Sequence, residues 1–338
     1  MQNSGKICLM KIVRSASVAS VVASVLGACS TLPQGGMPHE IAFERKNLYP
    51  EGIAWQQNAG AFLVSSLRQG EIGAVTPDGR YRRVVSDPEL LSVIGIKYDG
   101  RQDRILACNS HPGASAVPTA KPAGSVSQLM IFDAKTGQKK AAHDLAALRP
   151  GVPHFCNDMA TDTQGNIYIT DSFVPLIYRV TPEGTASIFL EDPAFGSSDP
   201  GKSFALNGIV HHPDGHLLVN HMALGKLYKI DLTTRQVNEV ALGRKLEGAD
   251  GMALIDSSTL AVVKNGLTGG EKEVVRLASR DGWKSAVETG KAQVGDVTPT
   301  TATLAGSGIH VIDARLSELF DGKGPRSDTF YIRKARFD

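Results

Sequence analysis

Four residues that could bind a cation each begin a copy of one repeated sequence motif. The motif is an opening residue, then most often glycine, then apolar residues, as in Glu51-Gly52-Ile53-Ala54-Trp55. Its six copies start at Glu51, Ile94, Asn157, Asn207, Asp250 and Thr300. If the copies occupy equivalent places in a repeating fold, two carboxylates and two amides converge. Buried acceptors are costly without a positive partner, so the pattern predicts a cation site.

The ligand types indicate which cation would bind. Hard oxygen ligands without histidine or cysteine select Ca²⁺ or Mg²⁺. Two carboxylates neutralise a divalent charge, and amide oxygens add ligands without adding repulsion. Donors from four separate repeats favour the large, irregular coordination of Ca²⁺. We therefore predict one divalent cation, Ca²⁺ before others, on Glu51, Asn157, Asn207 and Asp250, although Asn157 could contact substrate instead. No cluster of Cys and His with zinc spacing occurs in the sequence.

The elements that position these residues are short strands in a long-period repeat. The motif starts are separated by 43, 63, 50, 43 and 50 residues, and each motif precedes a short apolar run such as residues 61–65 or 104–108. A period of 40–50 residues with about four short strands is typical of propeller blades. The sequence thus predicts an all-β, six-bladed β-propeller with four-stranded blades over residues 44–338. Residues 112–124, rich in proline and alanine, account for the long interval and predict a surface loop.

In such a ring the first strand of each blade lines the central channel, and the second strand returns to the same face. The ends of the second strands are therefore predicted to surround the mouth of the channel. Asp171, His221 and Lys264 lie there and could act as general acid or base, while Asn109 and Asn220 could contact substrate. The alternative is that these residues only hydrogen-bond one another.

The N-terminal segment has the features of an export signal. Residues 1–28 begin with basic residues, continue with a small apolar stretch, and end in Leu26-Gly27-Ala28-Cys29. This ending resembles the lipobox of bacterial lipoproteins, which implies a lipid on Cys29, and Ser30 favours an outer-membrane anchor facing the periplasm. A plain signal peptide is the alternative. Residues 29–43 are predicted to be a flexible tether, and membrane contact only through the lipid.

Charge and cysteine content agree with export and exclude one class of partner. The formal charge is +2, and removal of the three basic residues among the first 28 leaves −1. A nearly neutral body has no electrostatic surface for nucleic acid, so no such partner is expected. Cys108 and Cys156 remain after processing. They could form one disulfide in an oxidising compartment or stay as two buried thiols.

The ordered set of motifs resembles the SMP-30/gluconolactonase family, which comprises calcium-dependent six-bladed propellers and includes sugar lactonases and diisopropyl-fluorophosphatase. The matching segments are Pro50-Glu51-Gly52 with Trp55, Cys156-Asn157-Asp158 with Asp162 and Gly165-Asn166-Ile167-Tyr168, Leu206-Asn207-Gly208 with Pro213-Asp214-Gly215, and Gly248-Ala249-Asp250-Gly251-Met252. The resemblance implies that Glu51, Asn207 and Asp250 bind metal and that Asn157 contacts metal or substrate. It implies Ca²⁺, with Mg²⁺, Zn²⁺ or Mn²⁺ also possible.

Two departures from the family pattern bear on the substrate and on a second ion. Sugar lactonases of the family usually carry arginine where this chain has Phe155, so a more apolar substrate is expected beside that residue. The motifs around Asn157 and Asp250 are closer to diisopropyl-fluorophosphatase. That enzyme's second calcium uses an acid where this chain has Ala253, and no second ion is expected.

The resemblance implies a hydrolase that opens a lactone ring. The metal would polarise the carbonyl group, and Asp250 would activate water or attack directly. The partner is then a small-molecule lactone or ester. Two alternatives remain: a phosphotriesterase-like or other ester hydrolase on the same site, and a non-catalytic envelope scaffold with structural calcium.

Overall fold

The computed structural model describes residues 36–199, 201–267, 270–295 and 298–338. These residues form six antiparallel blades with almost no helix, which confirms the predicted six-bladed β-propeller. Helical structure in this part of the chain is limited to α1 (Leu316–Leu319) and two 3₁₀ turns, Ala146–Leu148 and Pro193–Phe195. No helix of the described ranges is long and apolar enough to cross a membrane. The predicted leader, residues 1–28, and Cys29 lie outside the described residues.

Five blades are built from strands that are consecutive in sequence. Blade 1 contains β2 (Ile53–Gln56), β3 (Ala61–Ser65), β4 (Glu71–Val75) and β5 (Tyr81–Ser86). Blade 2 contains β6 (Ser92–Asp99), β7 (Arg104–Ser110), β8 (Ser127–Asp133) and β9 (Lys139–Asp144). Blade 3 contains β10 (Cys156–Thr161), β11 (Ile167–Asp171), β12 (Leu176–Val180) and β13 (Ala186–Glu191). Blade 4 contains β14 (Leu206–His212), β15 (His216–His221), β16 (Lys226–Asp231) and β17 (Val237–Glu239). Blade 5 contains β19 (Ala249–Asp256), β20 (Thr259–Asn265), β21 (Lys272–Ala278) and β22 (Ser285–Ala292), with β18 (Ala241–Leu242) parallel to β22.

The sixth blade joins the two ends of the described chain. It contains β23 (Pro299–Ala305), β24 (Gly308–Asp313) and β25 (Thr329–Lys334), and its outer strand is β1 (Glu40–Glu44), which pairs with β25. The predicted boundary at residue 44 was therefore late, because residues 40–43 belong to the propeller and not to the tether. Burial alternates along β1, with Ile41 and Phe43 buried, as expected for a strand with one face on the core.

The motif glycines allow the innermost strands to pack backbone against backbone. A Cβ atom on Gly52 would lie 2.5 Å from the carbonyl oxygen of Ile94, and one on Gly208 would lie 2.5 Å from that of Asp250. Both contacts join one blade to the next. Glycine is required at these two positions because a side chain there would separate neighbouring blades, whereas blades 3 and 6 carry Asp158 and Thr301 at the second position of the motif.

Apolar side chains between adjacent blades form the core, and one covalent link reinforces it. Cys108 on β7 and Cys156 on β10 form a disulfide with a Cα–Cα distance of 5.3 Å. The sequence left the state of these two cysteines open. The bond joins blade 2 to blade 3 immediately before Asn157.

Candidate functional site

The opening residues of the motif meet at the floor of a central cavity of about 530 Å³. Glu51, Ile94, Asn157, Asn207 and Asp250 all line it, so the repeat phase predicted from sequence brings them together. The sixth opening residue differs. Thr300 is buried, and its hydroxyl donates a hydrogen bond of 2.6 Å to the backbone carbonyl of Glu51.

A local irregularity of the strands directs these side chains at the axis. In blades 3, 4 and 5 the register between the first two strands shifts just where Asn157, Asn207 and Asp250 lie. Such bulges bend a strand and redirect a side chain, and they are common beside functional sites.

Three oxygens at the floor have no hydrogen-bond partner among the described residues. They are Oε2 of Glu51, Oδ1 of Asn207 and Oδ1 of Asp250, and each residue is at most 5% exposed. Buried polar atoms are rarely left unpaired in folded proteins, because the loss of hydration is not recovered. The three residues come from three blades and line one cavity, so a bound cation there would satisfy all three oxygens.

The fourth predicted ligand is oriented by a hydrogen bond. Asn157 donates from Nδ2 to Oγ of Ser172 at 2.8 Å. Because its nitrogen is occupied, its carbonyl oxygen is the atom available to the cavity. The structure therefore places Asn157 where either a metal or a substrate could be contacted.

Electrostatics at the floor disfavour two negative charges. Burial raises the pKa of Glu51 well above its usual range, and the nearby Asp250 and Asp158 raise it further. Burial likewise raises the pKa of Asp250 to about 7, although hydrogen bonds from Asn265 and Asn207 favour its charged form. A bound cation would reverse both shifts, because it favours the charged carboxylates.

The donor set fits a hard divalent cation. In the described ranges no three side chains of His, Cys, Asp or Glu are grouped as metal ligands, so a metal here depends on the amide oxygens of Asn207 and Asn157. An all-oxygen set of two carboxylates and two amides is suited to Ca²⁺ or Mg²⁺.

One site residue was not assigned a role from sequence, although a constant spacing points to it. Asn265 lines the cavity, and its Nδ2 donates to Oδ2 of Asp250 at 2.6 Å. Asn265 lies fifteen positions after Asp250. Ser172 lies fifteen after Asn157, which it contacts, and Met222 lies fifteen after Asn207, its contact at 3.7 Å. This separation was visible in the sequence.

Asp171, His221 and Lys264 do not line the cavity in the part of the chain that the structure describes, which corrects their predicted placement at its mouth. They pair in register with the residues just before the motifs: Cys156 with Asp171, Leu206 with His221, and Ala249 with Lys264. Each predicted residue lies one position before the residue that belongs to the site. Because side chains alternate along a strand, a shift of one residue places the side chain on the opposite face.

All three side chains have structural partners instead. Asp171 accepts hydrogen bonds from the ring of His154 and the backbone of Phe155, both at 2.9 Å. His221 contacts the carbonyl oxygen of Gly196 at 3.0 Å through Nε2. Lys264 donates to Glu273 at 2.9 Å.

The predicted substrate contacts separate into two groups. Phe155 and Asn157 line the cavity, but Asn109 and Asn220 do not line it within the described residues. Asn109 accepts a hydrogen bond of 2.8 Å from the backbone of Leu91 and also donates to a loop carbonyl. Asn220 donates to the backbone carbonyl of Asp250 and so supports the floor from outside the cavity.

The walls above the floor are apolar. The rings of Phe155, Phe173 and Phe204 contact one another with centroid distances of 5.1–5.4 Å. Leu67, Leu267, Leu316 and Phe320 also line the cavity. The loop predicted over residues 112–124 contributes Pro112, Ala123 and Gly124, so this insertion forms part of the wall.

Comparisons with known proteins agree on the fold. No protein-family model matches the sequence, and no curated protein matches it. The chain is similar to the major allergen Mala s 1 of Malassezia sympodialis, at 19% identity and a TM-score of 0.68 over 90% of this chain and 97% of that one. A putative gluconolactonase matches at 15% identity and a TM-score of 0.58 over 90% and 94% of the two chains. Virginiamycin B lyase from Staphylococcus aureus matches at 13% and 0.54, over 87% and 98%. At these identities the likeness establishes the six-bladed fold alone.

Proposed function

We propose that this protein is a divalent-cation-dependent hydrolase that opens a lactone or a closely related ester. The observation that carries the proposal is the set of unpaired, buried oxygens of Glu51, Asn207 and Asp250 at the floor of the cavity. A scaffold could fill its channel with apolar side chains and avoid the penalty of burying these atoms. A volume of about 530 Å³ is within the range of small-molecule sites.

Glu51, Asn207 and Asp250 would hold the cation, with Asn157 beside them. When bound, a divalent cation supplies Lewis-acid stabilisation of the charge that develops on a carbonyl or phosphoryl oxygen. The amide of Asn265 fixes the Asp250 carboxylate through Oδ2, so that Oδ1 faces the site. Asn220 holds the backbone of Asp250 from behind.

Asp250 is the residue we assign to the chemical step. Glu51 and Asp250 are the titratable side chains at the floor among the described lining residues. Two roles fit the position of Asp250: removal of a proton from an attacking water molecule, or direct attack on the carbonyl carbon. The apolar wall restricts bulk water around the reacting bond, which strengthens electrostatic interactions there.

One neighbour of similar fold is described as a putative gluconolactonase, which supports lactone opening as the first activity to test. Hydrolysis of an aliphatic and sugar lactone panel would be measured with Ca²⁺, with chelator, and after Ca²⁺ is restored. We expect turnover that disappears with chelator and returns with Ca²⁺. Glu51→Gln should lose Ca²⁺ binding and activity, whereas the exposed Glu183→Gln should keep both.

A phosphotriester or other ester is the second candidate substrate, favoured by the aromatic rings beside the floor. An aryl phosphotriester and an aryl ester would be assayed beside the lactones under the same conditions. Calcium-dependent turnover of these compounds alone would replace lactones as the substrate class. A folded, calcium-binding protein inactive on every compound would favour the scaffold.

A further inference from the structure

The cavity has two chemically different ends. The floor carries Glu51, Asn157, Asn207, Asp250 and Asn265, which exhaust the side-chain amides and carboxylates among the described lining residues. The other charged lining residue of the described chain is Lys202, whose side chain is 80% exposed beside Asp199 at the rim. Between floor and rim, hydrocarbon forms the walls.

The aromatic part of the wall is built to hold its shape. Phe155 precedes β10, Phe173 follows β11, and Phe204 precedes β14, so the three rings come from loops of adjacent blades. Asp171 accepts hydrogen bonds from the backbone nitrogens of Phe155 at 2.9 Å and Phe173 at 3.0 Å. One buried carboxylate therefore fixes two of the three rings. A surface that is already ordered loses little entropy when a ligand binds.

The apolar surface continues from the cavity to the solvent. Leu267 and Phe320 line the cavity and are nevertheless 43% and 55% exposed. Val152 and Leu224, also exposed, lie next in sequence to Pro153 and two positions after Met222, both of which line the cavity. Large exposed apolar residues on a soluble domain commonly mark a binding site when they are grouped.

We propose that the substrate carries an extended alkyl or aryl substituent, which binds against Phe155, Phe173 and Phe204 with its far end between Leu267 and Phe320. The inference rests on the proposed function for the reacting bond at the floor. The apolar wall is the observation from which we infer the chemical nature of the substituent. A polyhydroxylated ring would lose hydration of its hydroxyl groups against this wall without gaining partners. Phe155, Phe173 and Phe204 are thus specificity-determining residues.

The test is a homologous series of γ-lactones, from the unsubstituted ring to a heptyl side chain, and the matching γ-lactams. Binding of the unreactive lactams would be measured by calorimetry in the Ca²⁺-loaded wild type and in Asp250→Asn without added metal. Hydrolysis of the lactones would be measured in the wild type. We expect affinity for the lactams to rise about fourfold per methylene group, and kcat/KM for the lactones to rise in parallel.

Phe204→Ala should flatten this dependence, with a loss of about tenfold for the heptyl compound and little change for the unsubstituted ring. Phe337→Ala removes a phenyl ring near the C-terminus, outside the cavity, and serves as the matched control; it should keep the wild-type dependence. If Phe204→Ala fails to fold, Phe204→Leu, which keeps the site apolar, provides the comparison with Phe204→Asn.

The outcomes separate this inference from the proposed function. Lactam affinity that rises with chain length, without turnover of any lactone, would retain the apolar site and reject the hydrolase. Turnover that is independent of chain length, or highest on sugar lactones, would retain the hydrolase and overturn the inference. Equal affinity for every lactam would overturn it as well.

Discussion

Glu273, a buried carboxylate of blade 5, and the two carboxylates at the cavity floor, Glu51 and Asp250, differ in how their negative charge is balanced. Glu273 is fully buried, and its Oε1 accepts hydrogen bonds from Lys264 at 2.9 Å and Arg244 at 2.7 Å. These partners outweigh burial and lower the pKa of Glu273. Glu51 and Asp250 form no ion pair within the described chain, and burial raises the pKa of both, although Lys97 offsets the rise slightly for Glu51. Burial alone is therefore not informative; burial of a carboxylate without an ion pair distinguishes the cavity floor from Glu273.

The largest expected effect is on activity. Asp250→Asn removes a carboxylate that we assign both to cation binding and to the chemical step, so hydrolysis should fall about a thousandfold or more. Steady-state kinetics at saturating Ca²⁺ would measure the loss. Circular dichroism would establish that the ring is intact. Near-normal turnover in a folded variant would reject the assignment of Asp250.

Substitution of the paired carboxylate, Glu273, should lower the free energy of unfolding. Glu273→Gln leaves the buried cation of Lys264 without its carboxylate partner, whereas Arg244 keeps Glu288 at 2.7 Å. Breaking a buried pair on one side costs about 3 kcal/mol. Denaturant unfolding would show a lower free energy of unfolding than wild type. An unchanged free energy of unfolding would mean that the ion pairs of Glu273 do not compensate for its burial. The contrast with Glu51 and Asp250 would then be wrong.

Stability of the metal-free protein should depend on pH in a direction set by the floor. Because the pKa values of Glu51 and Asp250 are raised on folding, folding favours their protonated forms, so stability falls as pH rises from about 4 through about 7. The loss should be a few kcal/mol, since one unit of pKa difference corresponds to about 1.4 kcal/mol. Thermal unfolding with chelator and with excess Ca²⁺ would be compared across this range. The two curves should separate as pH rises, and parallel curves would contradict the site.

The smallest expected effect is an increase in the free energy of unfolding, opposite in sign to the effect of Glu273→Gln. In chelator, Glu51→Gln replaces an unbalanced buried acid with a neutral amide, so the free energy of unfolding at pH 8 should increase by about 1 kcal/mol. With excess Ca²⁺ the variant should lose this advantage, because wild type gains binding energy that the variant lacks. Destabilisation in chelator would show that Glu51 has a partner of its own.

The axial residues could be predicted from sequence because they occupy the same position in each copy of the motif, most often just before a glycine that allows close packing. The ring then brings residues up to 199 positions apart, such as Glu51 and Asp250, to one floor. The strand ends were harder to assign. Asp171, His221 and Lys264 each lie one position before the residue that belongs to the site: Met222 and Asn265 line the cavity, and Ser172 contacts Asn157.

Two other features depended on contacts that local patterns do not encode. The bulges that redirect the axial side chains arise from strand pairing, which is absent from a single strand's periodicity. Strand β1 has the burial alternation of a strand, but its partner β25 is almost the whole chain away. The aromatic wall was only partly anticipated, because Phe173 and Phe204 join Phe155 through loops.

The pairing of β1 with β25 also has a consequence for biosynthesis. The first strand of the propeller to leave the ribosome can acquire its neighbour only after β25 has been made, so the ring cannot close until all six blades have been synthesised. Contacts this distant in sequence form slowly. Until closure, the edges of both strands are available to other chains, as unpaired strand edges are. A chaperone that shields β1 during synthesis would therefore protect the yield of folded protein more than one acting on any middle blade.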